Sequence, residues 1–250
     1  MRIFSFYLLF ISLLFQGCFE TNNNSFDGKN ISINSEIKVD SSIINFYLPY
    51  KSKLQDGLMN RPISYSLKTY KKNDGILNSS LGNMFADATY DLINPIFKDK
   101  TGNSIDVVLL NNGGIRSIIS QGPVSEKTAF ELMPFENSIV IVKLDGNSIK
   151  KMVDYLVKVR LPHPIKGLEI ILNKDYSVES VLLNNNPIDE NKNYFVATTD
   201  YLLDGGDKMY FLAESKETTI IDYKMRDVLI DYFIKTDTLK LKTDNRFIIN

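Results

Sequence analysis

The chain has no tryptophan, one cysteine and one histidine among its 250 residues. A single cysteine excludes any intrachain disulfide. A single histidine, His163 between Pro162 and Pro164, excludes a dinuclear metal centre of the imidazole-rich kind built from this chain alone. Charge of one sign is also lacking. The 29 Lys and Arg residues nearly balance the 30 Asp and Glu residues, so there is no basic footprint for nucleic acid, which is not an expected partner. No internal repeat stands out. What is present is an apolar fraction of 44%, ample for the core of one large domain or two small ones.

The longest apolar run, Ile3 to Phe15, follows a positive Arg2 and ends at Gly17-Cys18. It is short for a membrane span and has the pattern of a secretory signal. It resembles a bacterial lipoprotein signal, in which the cysteine becomes the lipidated first residue. Phe15 and Gln16 depart from the small residues usual before it, and a signal peptide with a chance cysteine is the alternative. The resemblance implies an exported, membrane-anchored lipoprotein of a bacterial cell envelope, attached through Cys18. Residues 1–18 then form the signal, and residues 19–36, polar and rich in Asn and Ser, a flexible tether. Residues 37–250 form the folded domain.

Within that domain, Ile44, Leu48, Leu54 and Leu58 fall near helical spacing, interrupted by Pro49. Ile63 to Tyr70 alternates as a half-buried strand. Leu81 to Phe97 reads as a helix capped by Ser79 or Ser80, with Leu81, Met84, Phe85, Ala88, Leu92 and Ile96 on one face and Pro95 as an early stop. Ile105 to Leu110 has no polar alternation after Asp106, as in a strand buried on both faces. A short helix over Glu126 to Leu132, capped by Ser125, precedes a strand over Ser138 to Leu144, a turn at Asp145-Gly146 and a helix over Ser148 to Arg160. A hairpin turns at Asn173-Lys174-Asp175, and a strand spans Tyr194 to Thr199. A helix lies around Met225 to Phe233, and Arg246 to Ile249 reads as a closing strand. Helices and strands mix without strict βαβ alternation, so the expected class is α+β, a mixed β-sheet with helices packed on it.

The Ile105–Leu110 run leads into Asn111-Asn112-Gly113-Gly114-Ile115-Arg116. Glycine pairs admit positive φ and close approach by a ligand. Successive N–H groups in such a turn can cradle an anion, and arginine adds a planar cationic donor. From this stretch alone an ordinary strand-ending turn with a surface arginine is the better reading, because glycine-rich turns are common. Three further stretches narrow the choice: Leu81-Gly82-Asn83 with Ala86-Asp87, Pro134-Phe135-Glu136-Asn137, and Tyr201-Leu202-Leu203-Asp204-Gly205-Gly206-Asp207. In this order the four motifs resemble the C-terminal domain of the 5'-nucleotidase and UDP-sugar hydrolase family, over roughly Ile37 to Ile249.

The resemblance implies a 5'-nucleotidase C-terminal-like fold that holds a nucleotide or nucleoside, with hydrolysis left to a metallophosphoesterase domain. Phe135 and Tyr201 match the rings that clamp the base, and Asp207 the acid that reads the ribose. Asn137 matches a base contact. Asn111 and Arg116, with Gly113 and Gly114, match the ribose- and phosphate-facing turn. Asn83, Asp87, Gly205 and Gly206 read as structural parts of the motifs, and His163 as a surface loop residue. Two departures stand out. The arginine and glutamate common before Leu81 are missing from Asp74-Gly75-Ile76-Leu77-Asn78, and Asn112 replaces a common third glycine. No catalytic residue, metal ligand or cofactor is expected in this chain. Divalent metals are expected only on a separate metallophosphoesterase chain, with which this one would take part in extracytoplasmic nucleotide hydrolysis. A non-catalytic envelope receptor and a structural lipoprotein are the alternatives.

Overall fold

A computed structural model of the chain describes residues 28–56 and 61–250. The expected signal peptide, Cys18 and the first half of the tether, residues 19–27, lie outside the described residues. The structure divides after Tyr47 into two units. From residue 28 to residue 40 the chain is irregular apart from one turn, and exposed. Helix α1 (Ser41–Asp56) opens at Asp40, whose carboxylate accepts from the Ser42 N–H at 2.8 Å. It runs through Pro49 rather than breaking there. The missing N–H frees only the Asn45 carbonyl, on an exposed residue that water can reach.

In chain order there follow β1 (Pro62–Ser66), α2 (Ser80–Thr101), β2 (Val107–Leu109), β3 (Gly122–Ser125), α3 (Glu126–Leu132), β4 (Ser138–Asp145) and α4 (Gly146–Val159). Then come β5 (Ile165–Lys166), β6 (Leu168–Leu172), β7 (Val178–Leu183), β8 (Asn193–Thr199), α5 (Asp200–Leu203), β9 (Thr218–Lys224), α6 (Met225–Lys235), β10 (Thr238–Leu239) and β11 (Phe247–Ile249). The central sheet has the order β5-β2-β8-β4-β9. Its β2 and β8 are parallel, while β4 is antiparallel to both β8 and β9. Two three-stranded sheets, β10-β1-β3 and β11-β6-β7, complete the described residues. The class is α+β with mixed sheets, as expected.

The central sheet is covered on both faces. Val108, Ile139, Ile141 and Ala197 join the core beneath α2 and α6. Val107, Leu109, Val142, Leu144 and Val196 join the core beneath α4. This is why Ile105 to Leu110 shows no polar alternation.

Helix α2 opens on Ser79, whose side chain accepts from the Gly82 N–H at 3.0 Å. It does not stop at Pro95. The proline is exposed, and fully buried Ile93 and Phe97 anchor the turns on either side, so the helix continues to Gly102 at φ +75°. These two residues also displace Ile96, which is 39% exposed, from the expected core face. Successive i, i+4 steps carry the apolar stripe around the helix. Helix α3 has its capping box between Ser125 and Thr128, and Asp145 caps α4 by accepting from the Ser148 N–H at 2.9 Å.

Strand β1 alternates, but with its serines inward. Ser64 donates to the Thr236 carbonyl at 2.5 Å and Ser66 to that of Lys68 at 2.8 Å, while Tyr65 and Leu67 face out. The Ser66–Lys68 bond bends the chain, so the strand ends short of Tyr70, which makes a lone bridge to Ile119.

Candidate functional site

Three loops meet at one end of the central sheet because of its topology. Parallel β2 and β8 both finish there. Strand β4 runs against β8 with Ile139 opposite Thr199, so it begins there. The loop after β2 carries Asn111 to Arg116, with one 3-10 turn over Asn112–Gly114. Its end is held by the Arg116 N–H donating to the Leu132 carbonyl at 2.9 Å. The loop before β4 carries Phe135 to Asn137. The loop after β8 carries Tyr201 in α5 and then Gly205 to Asp207. Asp200 ties the last two together, its carboxylate accepting from the Ser138 N–H at 3.1 Å.

A cavity of about 240 Å³ lies between these loops, lined by Asn111, Gly113, Gly114, Arg116, Phe135, Asn137, Tyr201 and Asp207. All eight were singled out from the sequence, and the fold brings them together. Phe135 and Tyr201 remain 40% and 46% exposed. The Asp207 carboxylate accepts from the Asn111 amide at 2.8 Å and from the Tyr201 hydroxyl at 3.2 Å. Arg116 donates to the Gly113 carbonyl at 3.2 Å, and its guanidinium stands 5.8 Å from the Phe135 ring centroid. The second glycine pair has a steric cause. Gly205 has φ +91°, and a Cβ on Gly206 would come within 2.5 Å of the Tyr201 ring and carbonyl.

The loop before β4 is fixed from outside the cavity. Glu136 pairs with Lys224 and Arg226, whose hydrogen bonds lower its carboxyl pKa to about 2. The Met225 N–H donates to the Asn137 carbonyl at 2.9 Å.

A larger cavity, about 590 Å³, lies at Asp87, Lys166 and Arg246. Four of its charged groups are paired with one another: Asp87 with Lys166 at 2.9 Å and Arg246 at 3.2 Å, and Arg246 with Asp244 at 2.6 Å. Such a network ties segments together, so the smaller cavity with its open rings is the better candidate. Asp87 thus joins β5 and the C-terminal segment to α2. Asn83, buried on the same helix, donates to the Asn78 side chain at 3.1 Å and the Lys242 carbonyl at 3.3 Å.

Three residues behind the cavity escaped the sequence reading. Lys72 donates to the carbonyls of Ile115 and Asn112 at 2.9 and 3.3 Å. Tyr155 donates to the Asp207 carbonyl at 2.8 Å. His163 sits in a loop as expected, but it is only 2% exposed and not on the surface. Its Nδ1 accepts from the Asn112 N–H at 3.2 Å. The flanking prolines have no N–H, and this bond to Asn112 draws the ring inward. Burial lowers its pKa to about 4, against the opposing charge of Asp207. None of the three stands in a motif. Only the rarity of histidine marked His163.

The mixed sheet, covered by helices on both faces and carrying three loops clustered at one end, defines an α+β domain. The family model described as 5'-nucleotidase, C-terminal domain, matches residues 62–214, and the chain belongs to this family. It is similar to Protein UshA of Escherichia coli, at 30% identity over 44% of this chain and 20% of that protein. It is also similar to Cell wall protein Lmo0130 of Listeria monocytogenes, at 30% over 66% of this chain and 23% of that one, and to an apyrase of Tabanus yao, at 23% over 65% and 33%. The 5'-nucleotidase precursor of Thermus thermophilus shares the fold, with a TM-score of 0.68 and 19% identity over 84% of this chain and 43% of that one. The NAD nucleotidase of Haemophilus influenzae gives a TM-score of 0.62 at 19% identity over 84% and 42%. The chain thus spans less than half the length of each of these relatives.

Proposed function

We propose that the chain binds a nucleotide or nucleoside at the 240 Å³ cavity, and that it takes part in extracytoplasmic nucleotide hydrolysis with a separate metallophosphoesterase chain. The observation that carries this reading is the pair of open rings, Phe135 and Tyr201, on separate loops beside the Asp207 carboxylate. Two aromatic faces clamp a flat base whatever its sequence of donors, at about 1–3 kcal/mol per base. A carboxylate accepts from two vicinal hydroxyls. In this reading Asn137 serves the base edge and the Arg116 guanidinium a phosphate, since the N–H groups of Asn112, Gly114, Ile115 and Arg116 already donate within the fold. The cavity is smaller than the roughly 300–1,000 Å³ usual for fully enclosed ligands, which suits a ligand gripped between two faces rather than enclosed.

The residues do not fit a dinuclear metal centre. The one histidine is buried and spends Nδ1 on Asn112. Among the described residues no group of three or more His, Cys, Asp or Glu side chains is arranged to hold a metal ion. Divalent metals belong to the partner in this reading. Titration of the purified chain with AMP in the presence of Mn²⁺ is expected to give binding without phosphate release. Metal-dependent release by a chain proven free of contaminants contradicts it.

The envelope location rests on the N-terminal pattern ending at Cys18. Lipidation there accounts for the chain's only cysteine. Cys18→Ser is expected to leave the membrane fraction or to remain unprocessed, and a wild-type chain already free of the membrane contradicts the anchor.

A further inference from the structure

Two rings lie behind the cavity without lining it. Tyr155, on α4, donates its hydroxyl to the Asp207 carbonyl at 2.8 Å. His163, on the loop that follows α4, accepts the Asn112 N–H at 3.2 Å. The rings stand 5.8 Å apart, tilted by 51°, and Tyr155 rests in turn on Phe211 at 5.7 Å. One ring therefore holds the loop after β2, and the other holds the loop after β8. Across the front, Asn111 and Asp207 join the same two loops at 2.8 Å.

We infer that Tyr155 and His163 are positioning residues that set the spacing of these loops, and through it the recognition of a sugar's vicinal diol by Asp207. The inference rests on the nucleoside reading above.

Asp207 needs such support. Its φ is +50°, and that of Lys208 is +62°, a left-handed stretch that residues other than glycine hold only when their surroundings impose it. Both its carboxylate oxygens already accept one donor, from Asn111 and from Tyr201. The lone pairs left for two hydroxyls are aimed by where the backbone is anchored, and the Tyr155 hydroxyl is that anchor. His163 has an equivalent task on the other loop. With Nδ1 an acceptor, the ring proton sits on Nε2, which is buried and has no hydrogen-bond partner among the described residues. A buried donor left without a partner costs stability. The bond to Asn112 gives the ring a reason to stand there.

The test is calorimetric titration of adenosine and of 2',3'-dideoxyadenosine into the wild-type chain and into Tyr155→Phe, His163→Leu and His163→Asn. Tyr155→Phe keeps the ring and loses one hydrogen bond. It is expected to weaken adenosine roughly 2- to 10-fold and to leave the dideoxy ligand unchanged. His163→Leu follows the same pattern, and His163→Asn, whose amide oxygen can replace Nδ1, recovers most of the loss. In an Asp207→Ala background Tyr155→Phe has no further effect on adenosine. A merely structural role would weaken both ligands alike, and that result overturns the inference, as does unchanged adenosine binding in Tyr155→Phe. If His163→Leu does not fold, the Tyr155→Phe and Asp207→Ala cycle decides. A wild-type chain that binds neither ligand, or both equally, overturns the diol reading and this inference with it. Wild-type discrimination preserved in Tyr155→Phe overturns the inference alone.

Discussion

His163 is neutral in the fold at a pH where it would be charged in an unfolded chain. Burial lowers its pKa from the ordinary 6.5 to about 4. The unfolded state therefore takes up the proton first as pH falls. The stability attached to this group is full above about 6.5, declines as pH falls towards about 4, and is flat below that. The gap corresponds to about 3 kcal/mol. Urea unfolding at pH 7, 5.5 and 4 is expected to show the wild-type chain losing its advantage over His163→Asn across this window, and a pH-independent difference contradicts it. At this scale the lining of the site was legible because its residues stand in ordered motifs: Phe135 follows a proline, Arg116 a glycine pair, and Asp207 a second pair. Lys72, Tyr155 and His163 were not legible. Each acts through one or two hydrogen bonds to the backbone of a distant loop, and nothing in its own neighbours along the chain points to that partner.

Helix starts were legible because capping is local. Ser79, Ser125 and Asp145 are short polar side chains placed where the first turn leaves N–H groups open. Helix ends and faces were less so. Pro49 and Pro95 stand inside α1 and α2, since one lost bond on an exposed side weighs little against buried Ile93 and Phe97 in the longer helix. Strand β1 shows the limit of periodicity. Alternation reveals two faces but not which is inside, and Ser64 and Ser66 turn inward because the Thr236 and Lys68 carbonyls await them. The glycine pair of the loop after β8 shows the opposite case. The motif was visible, and only the fold explains it: the Tyr201 ring lies where a Gly206 side chain would be.

At the scale of the whole molecule, what matters is that two chain segments far apart in sequence end at one edge of one sheet. The antiparallel register of β4 on β8 sets the start of one beside the end of the other. Phe135 and Tyr201 thereby face the same cavity from separate loops. Mixed sheet order, with β8 between β2 and β4, is a long-range property, so α+β was readable and the strand order was not. The central claim is that these two rings grip one base. The most direct measurement is titration of a nucleoside into the wild-type chain, Phe135→Ala and Tyr201→Ala, each shown by circular dichroism to be folded. Each substitution is expected to weaken binding by about 1–3 kcal/mol, or roughly 5- to 150-fold. Negligible losses in both folded variants would contradict the clamp.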